Sequence, residues 1–494
     1  MNPFASKLQA LLDEKQFKIL DLERFTGINR STLYKFLNGQ REPTGIDVVY
    51  QIADCLCLNH LQREELTEAY YLTRMGPLSY YGRKEVIRFY QEISISKDYE
   101  TSPFLPFASI QLEPKQRIVL NGAQNVNLAI EYFLYMAAQQ NKEQESIISE
   151  NIADDVTLSI IQKIGKLYPE FHCTHLILLD DSIERTVELS HQIYNINILT
   201  KLLPLSPRLP HYQVYYRYGN IQAEKNDPAY LPNVVIAGEY VIQYSSNHRY
   251  GIVTRDDAVR ELYSHLLMEN KRISKPFFSS KSQQDWDHLS TMPGIQQQLK
   301  AKDSQVYLFI PGIFAYTIIA RYGTQDPQIF SALHVNQARM ETFLKKNPFM
   351  VDSDLYHDPD IFLFFPKTSV DYFAEYGRLS DIPDSWKDQL SVEERITAFQ
   401  RWILQIHQNN LIMMDFPEIS SPVSVFSLTT KDAVSFVRMD ENSHSLMTAE
   451  VREPSIVYNF YGFWQEREQT RQYSQEETIS YIEEKIEELR AEAG

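Results

Sequence analysis

The feature that most limits how this chain can fold lies in residues 15–43, KQFKILDLERFTGINRSTLYKFLNGQREP. Gly27 stands where one short helix must turn sharply into the next, because glycine takes positive φ without a Cβ clash. Ile28 is an apolar plug for that turn. Asn29 suits the cap that follows, since its side chain accepts a hydrogen bond from a free amide of the first helical turn. The spacing then predicts a helix from Arg30 to about Leu37 that buries Leu33, Phe36 and Leu37. Arg30, Ser31, Tyr34 and Lys35 fall on its other faces, and Asn38-Gly39 stops it. A short helix with donors at its start, a buried stripe and a polar stop has the form needed to read the major groove of a duplex.

The segment resembles the lambda-repressor-like helix-turn-helix family of bacterial and phage regulators, the XRE or Cro/CI type. Leu22, Thr26-Gly27-Ile28, Arg30-Ser31-Thr32-Leu33, Asn38-Gly39 and Arg41-x-Pro43 carry the resemblance. It continues through Ile46, Val49, Ile52, Ala53, Leu56 and Leu58, and back into a first helix over roughly Phe4–Glu14. It covers residues 1 to about 75. The family usually has a phosphate-touching Gln at the first position of helix two, where Ile19 stands here. A small residue usually follows the leucine of that helix, where Glu23 stands here. The resemblance implies an all-α five-helix DNA-binding domain whose contacts come from Arg30, Ser31, Thr32, Tyr34, Lys35, Asn38, Gln40 and Arg41. Arg30, Ser31, Lys35 and Thr32 would face base edges, and Gln40, Arg41 and the backbone near Asn38 would hold phosphates.

A chain of 494 residues is too long for one core, so two or three domains are expected. The net charge of −17 is unusual for a chain that binds nucleic acid. Between Arg30 and Arg41, however, stand three basic residues and no acid, and the acidic excess lies elsewhere, notably after Ser474. A small basic edge on an acidic body fits sequence-specific binding and argues against coating of nucleic acid or of an anionic membrane surface. Cys55, Cys57 and Cys173 form no CxxC and no even framework, which with the absence of a visible signal peptide points to a bacterial cytoplasm. The longest apolar run, from Val306, is broken by Pro311-Gly312 and is too short to span a bilayer. It reads as a strand, a turn and the start of a helix.

Along the chain, residues 1–75 form the helix-turn-helix domain, 76–106 a helical connector, 107–280 one α/β half and 281–494 a second ending in an amphipathic helix. Gly76-Pro77 breaks the helix over 61–75. A further helix over 83–98, with Val86, Ile87, Phe89, Tyr90 and Ile93 apolar, is a connector or a dimerising arm. Strands and helices then alternate, which defines an α/β or α+β effector or oligomerisation region, with no 34-residue helical repeat. Val234–Phe278 and Val434–Gln465 share an order of strand, polar turn, strand and helix; this is either an internal duplication or a unit common in mixed folds. In SQEETISYIEEKIEELRAEAG, Ser474 and Glu477 fit a capping box. The Ile479, Ile482, Ile486 and Leu489 stripe there reads first as a helix packed on its own domain and second as a dimer seam.

Other chemistry is sparse. Cys173 and His175 share one strand face with His172 opposite, too few ligands for zinc. Asp180-Asp181 end an apolar strand, where a ligand crevice or a plain polar strand end are both open. Asp352, Asp354, His357, Asp358 and Asp360 imitate a calcium loop but lack its glycine and closing glutamate. His211, His248 and Asp256-Asp257 raise phospholipase-like or nuclease chemistry, yet no His-x-Lys with a following Asp, Walker loop, GxSxG or HExxH is present. The tyrosines of YQVYYRYG line either a sheet surface or an aromatic pocket. No catalytic set, cofactor or metal is expected. The expected partners are double-stranded DNA, a second copy of the chain, and a small-molecule or peptide effector. The alternative is an enzyme or protein-interaction module fused to an autoregulatory DNA-binding domain.

Overall fold

The computed structural model describes residues 2–94, 113–140, 145–180, 190–209, 211–221, 231–283, 305–310, 360–378, 390–408, 410–415, 425–440, 445–469 and 472–493. The chain divides into two compact units, the first built on Met1–Glu85 and the second beginning at Val86.

The first unit is helical: α1 (Pro3–Glu14), α2 (Ile19–Thr26), α3 (Arg30–Leu37), α4 (Ile46–Cys55) and α5 (His60–Ser94). Asn2 caps α1 by accepting the Ala5 amide. Phe4 sits at the centre, edge-on to both Phe36 and Tyr70, so α1 joins α3 to α5. Leu8, Leu22, Leu33, Val49, Ile52 and Leu66 complete a core without solvent exposure. The expected break falls at Gly76, whose φ of 80° and ψ of 158° bend α5. The bend is braced: Tyr71 stacks on Tyr80 at 6.1 Å and the Tyr81 hydroxyl donates to Glu68 at 2.9 Å. Beyond it, Val86, Phe89, Tyr90 and Ile93 lie in the core of the second unit, with Phe89 against Phe436 and Phe460. The apolar side of this segment is therefore spent within its own chain and is not a free dimerising arm.

The second unit contains two mixed sheets. The first comprises β1 (Arg117–Asn121), β2 (Ser146–Glu150), β3 (Cys173–Asp180), β4 (Tyr212–Gly219), β5 (Asn233–Ala237), β6 (Tyr240–Tyr244), β7 (Tyr250–Thr254) and β8 (Lys275–Pro276), ordered β1-β7-β6-β5-β2-β3-β4-β8. β2, β3 and β4 run parallel, and β5, β6, β7 and β1 form an antiparallel meander. Helices α6 (Ala123–Gln140), α7 (Asp155–Leu167), α8 (Ser190–Leu202) and α9 (Asp257–Ile273) accompany it. The second sheet comprises β9 (Ser279–Gln283), β10 (Val306–Phe309), β11 (Ile361–Pro366), β12 (Leu411–Met414), β13 (Val425–Thr429), β14 (Val434–Asp440) and β15 (Ser445–Val451). With it go α10 (Lys367–Tyr376), α11 (Val392–Gln408), α12 (Pro454–Gln469) and α13 (Gln475–Ala493).

Read from its other edge, the second sheet runs β9-β15-β14-β13-β10-β11-β12, with β10, β11 and β12 parallel and the rest antiparallel. That is the order and direction of β1-β7-β6-β5-β2-β3-β4. The helix after each meander is capped alike: Asp256 accepts the Ala258 and Val259 amides, and Glu453 accepts that of Ile456. The first strand expected in Val234–Phe278 is two, because Gly238 at φ 59° turns β5 straight into β6.

Sheet faces alternate as a two-residue period demands. Ile148, Ile177, Val235 and Ile242 join the main core with α6, α7 and α8, whereas Ile147, Leu176, Val234 and Val241 pack beneath α9. In the second sheet Tyr307, Phe309, Phe364 and Phe436 share the main core with α12. Among the described residues no helix is long and apolar enough to cross a membrane.

Candidate nucleic-acid interface

The turn before α3 is held by a short set of local bonds. The Thr26 hydroxyl donates to the Leu22 carbonyl at 2.6 Å and accepts the Ile28 amide at 3.3 Å. Gly27 takes φ 69° and donates its amide to the Glu23 carbonyl. Asn29 caps α3 as expected, its Oδ1 accepting the Ser31 amide at 2.9 Å. Leu33, Phe36 and Leu37 are buried, so the position of α3 is fixed from below.

The outward residues follow from that. Arg30, Ser31, Tyr34, Lys35, Asn38, Gln40 and Arg41 are exposed, and Thr32 is half-buried. The Arg30 guanidinium lies over the Tyr34 ring, 5.6 Å from its centroid, with Nη2 at 3.4 Å from the hydroxyl. The hydrogen bond to Tyr34 pushes the Arg30 pKa upward, with Glu23 adding a smaller push in the same direction. A guanidinium keeps its charge at any ordinary pH in any case. Past α3, Gly39 at φ 67° turns the chain so that the Gln40 and Arg41 amides both reach the Lys35 carbonyl. This brings two further polar side chains beside the end of the helix.

The two departures from the family pattern have physical accounts. Ile19 is half-buried against the core of the first unit, so it offers no phosphate contact. Glu23 turns its carboxylate to the Arg30 amide, 2.9 Å away.

The remaining sequence candidates do not converge. Cys173 and His175 are both buried on one face of β3, while His172 stacks on His211 at 4.1 Å. No group of three or more potential metal ligands forms among the described residues. Asp180 is buried at the end of β3, its amide donating to Asn195 Oδ1 at 3.0 Å; Asp181 lies outside the described residues. Asp256 is a helix cap, Asp257 pairs with Arg260, and His248 Nδ1 meets Asn127 at 2.6 Å. Of the acidic run, only Asp360 is among the described residues. In YQVYYRYG, Tyr212 and Tyr216 are buried, Tyr215 is half-buried and Tyr218 partly exposed, as expected for a sheet strand.

One polar cluster escaped sequence reading. Glu150, at the end of β2, is buried and accepts hydrogen bonds from Thr157 at 2.6 Å and from the Tyr244 hydroxyl. His175 Nε2 lies 3.3 Å from its other oxygen, and His175 Nδ1 lies 2.8 Å from the Tyr212 hydroxyl. Burial pushes the Glu150 pKa up, but His175, then Thr157 and Tyr244, outweigh it and hold the carboxyl below the usual range. The cluster joins β2, β3, β4, β6 and α7, so no local spacing announces it.

Residues 7–59 match the family model of the Cro/C1-type HTH DNA-binding domain. The N-terminal unit thus carries a helix-turn-helix domain of that type, followed by a region of sheets and helices. No curated protein matches the chain. Three solved structures are similar to parts of it. The first is TrmBL2, an archaeal chromatin protein with a novel mode of DNA binding, at 11% identity over 50% of this chain and 84% of that one, with a TM-score of 0.20. The second is phosphatidylserine synthase from Haemophilus influenzae, at 8% identity over 77% and 95%, with a TM-score of 0.21. The third is polyphosphate kinase from Porphyromonas gingivalis, at 9% identity over 70% and 49%, with a TM-score of 0.22. Likenesses this slight bear no weight for fold or function.

Proposed function

We propose that the chain is a sequence-specific transcriptional regulator whose helix α3 reads an operator in the major groove. The observation that carries this is the exposed polar face of α3 within a matched Cro/C1-type domain. The arrangement of α1 to α5 around Phe4 supports a lambda-repressor-like five-helix domain. Arg30, Ser31, Thr32 and Lys35 face base edges, and Tyr34, Asn38, Gln40 and Arg41 settle the backbone. Two copies on a two-fold axis would fit half-sites roughly 34 Å apart. The large second unit pairs the readers and holds the effector, which acts by favouring one arrangement of the pair.

The test is selection of a preferred duplex from a random pool by the full chain, followed by gel shifts with Arg30→Ala/Lys35→Ala. Each good base contact is worth about 1–3 kcal/mol, so the double variant should lose roughly 30-fold or more on the selected site. Unchanged affinity in a variant with an unchanged circular dichroism spectrum overturns the reading.

A further inference from the structure

We propose that Glu23 is a positioning residue for the reading helix, one that raises discrimination between operator and random duplex by closing the start of α3 to phosphate. The inference rests on the DNA-binding reading above and goes beyond the contacts assigned there. The first amides of a helix have no partner within it, and as a rule they are available to a phosphate oxygen. In α3 they are engaged. The Arg30 amide donates to the Glu23 carboxylate at 2.9 Å, the Ser31 amide to Asn29 Oδ1 at 2.9 Å, and the Thr32 amide to the Asn29 carbonyl at 2.8 Å.

Glu23 holds both sides of the turn at once. Its carbonyl receives the Gly27 amide at 2.9 Å while its carboxylate receives that of Arg30. The turn of residues 27–29 is thereby tied back to α2 on both sides, which constrains the angle between α2 and α3. The carboxylate also places a negative charge beside Arg30, on the amide that would otherwise be open to a phosphate oxygen. Contacts that depend only on backbone charge are weakened, and contacts made by the side chains of α3 keep their geometry. Discrimination rises because random duplex offers only the first kind.

Two variants of the full chain separate the roles. Glu23→Gln keeps an acceptor for the Arg30 amide and removes the charge. Glu23→Ala removes both. The readouts are amide hydrogen exchange at Arg30, and affinity for the selected and a scrambled duplex over a range of salt concentrations. We expect Glu23→Gln to leave Arg30 protected and to bind scrambled duplex several-fold more tightly, lowering the selected-to-scrambled ratio about 5-fold. We expect Glu23→Ala to exchange at Arg30 at least about 10-fold faster and to lose about 10-fold or more of the ratio. Unchanged exchange in Glu23→Ala, or a ratio within two-fold of the parent in Glu23→Gln, overturns the proposal. A parent chain that prefers no duplex overturns the regulator reading instead, and the exchange measurement still decides whether Glu23 holds the turn.

Discussion

Two glycines show how differently the same substitution acts. Gly27 has open space around it and a φ of 69°. Alanine there meets no neighbour, so the cost is conformational, about 1–2 kcal/mol. Gly165, inside α7, has an ordinary helical backbone, but an added Cβ would sit 1.6 Å from a methyl of Leu209. Alanine improves helix propensity by up to about 1 kcal/mol and overpacking costs about 1–3 kcal/mol. Gly165→Ala is therefore destabilising although a propensity scale favours it. Denaturant midpoints for both variants check this, and a stabilised Gly165→Ala would refute it.

The buried carboxylate makes a prediction about acid. Glu150 titrates below its unfolded value, about 4.3, so its contribution is present above that pH and lost as pH falls through the lower native value. Glu150→Gln removes that dependence. The acid branch of the stability profile, below about pH 4, should be shallower in the variant than in the parent. Superimposable acid branches would sink the assignment.

At the level of elements, α13 is the clearest case. Ser474 and Glu477 do form the reciprocal cap, with the Ser474 amide reaching Glu477 at 2.7 Å and the Glu477 amide reaching Ser474 Oγ at 3.1 Å. Ile482, Ile486 and Leu489 are buried against their own unit, next to α11, α10 and β12, so the stripe is not a dimer seam. Ile486→Ala should cost about 2–5 kcal/mol and leave the oligomeric state as it was. A change of mass in solution at unchanged stability would reverse that conclusion. Elements whose determinants are local were legible: the caps at Asn29 and Ser474, the stripe of α3 and the break at Gly76 each depend on a few adjacent residues, whereas Asp256, read as candidate chemistry, proved to be a cap. What stayed hidden depends on neighbours distant in sequence. The β5–β6 hairpin was missed because its turn, Gly238-Glu239, is only two residues long and interrupts the apolar run too briefly to mark two strands. The strand orders of both sheets depend on pairings such as Ile147 with Ile236 and Tyr307 with Thr429, which no periodicity encodes. On the candidate interface, α3 was readable in advance. The bond from the Arg30 amide to Glu23 was not, because it spans the turn.

For the whole molecule, charge sets the expectation for binding. Three basic residues, Arg30, Lys35 and Arg41, are exposed on and just after α3 in a chain whose net charge is −17. Each neutralised phosphate contributes about −0.9 to the slope of log affinity against log salt, so each bound copy should show a slope of about −3 or shallower. A slope beyond about −6 per copy would mean that a second basic surface takes part.

The division of α5 between the two units has a practical consequence for anyone wishing to isolate the reader. A fragment ending at Ser94 would carry Phe89, Tyr90 and Ile93 with nothing to shelter them, and it should clump in solution. A cut just before Val86 would leave those rings behind, where the remainder of the protein needs them.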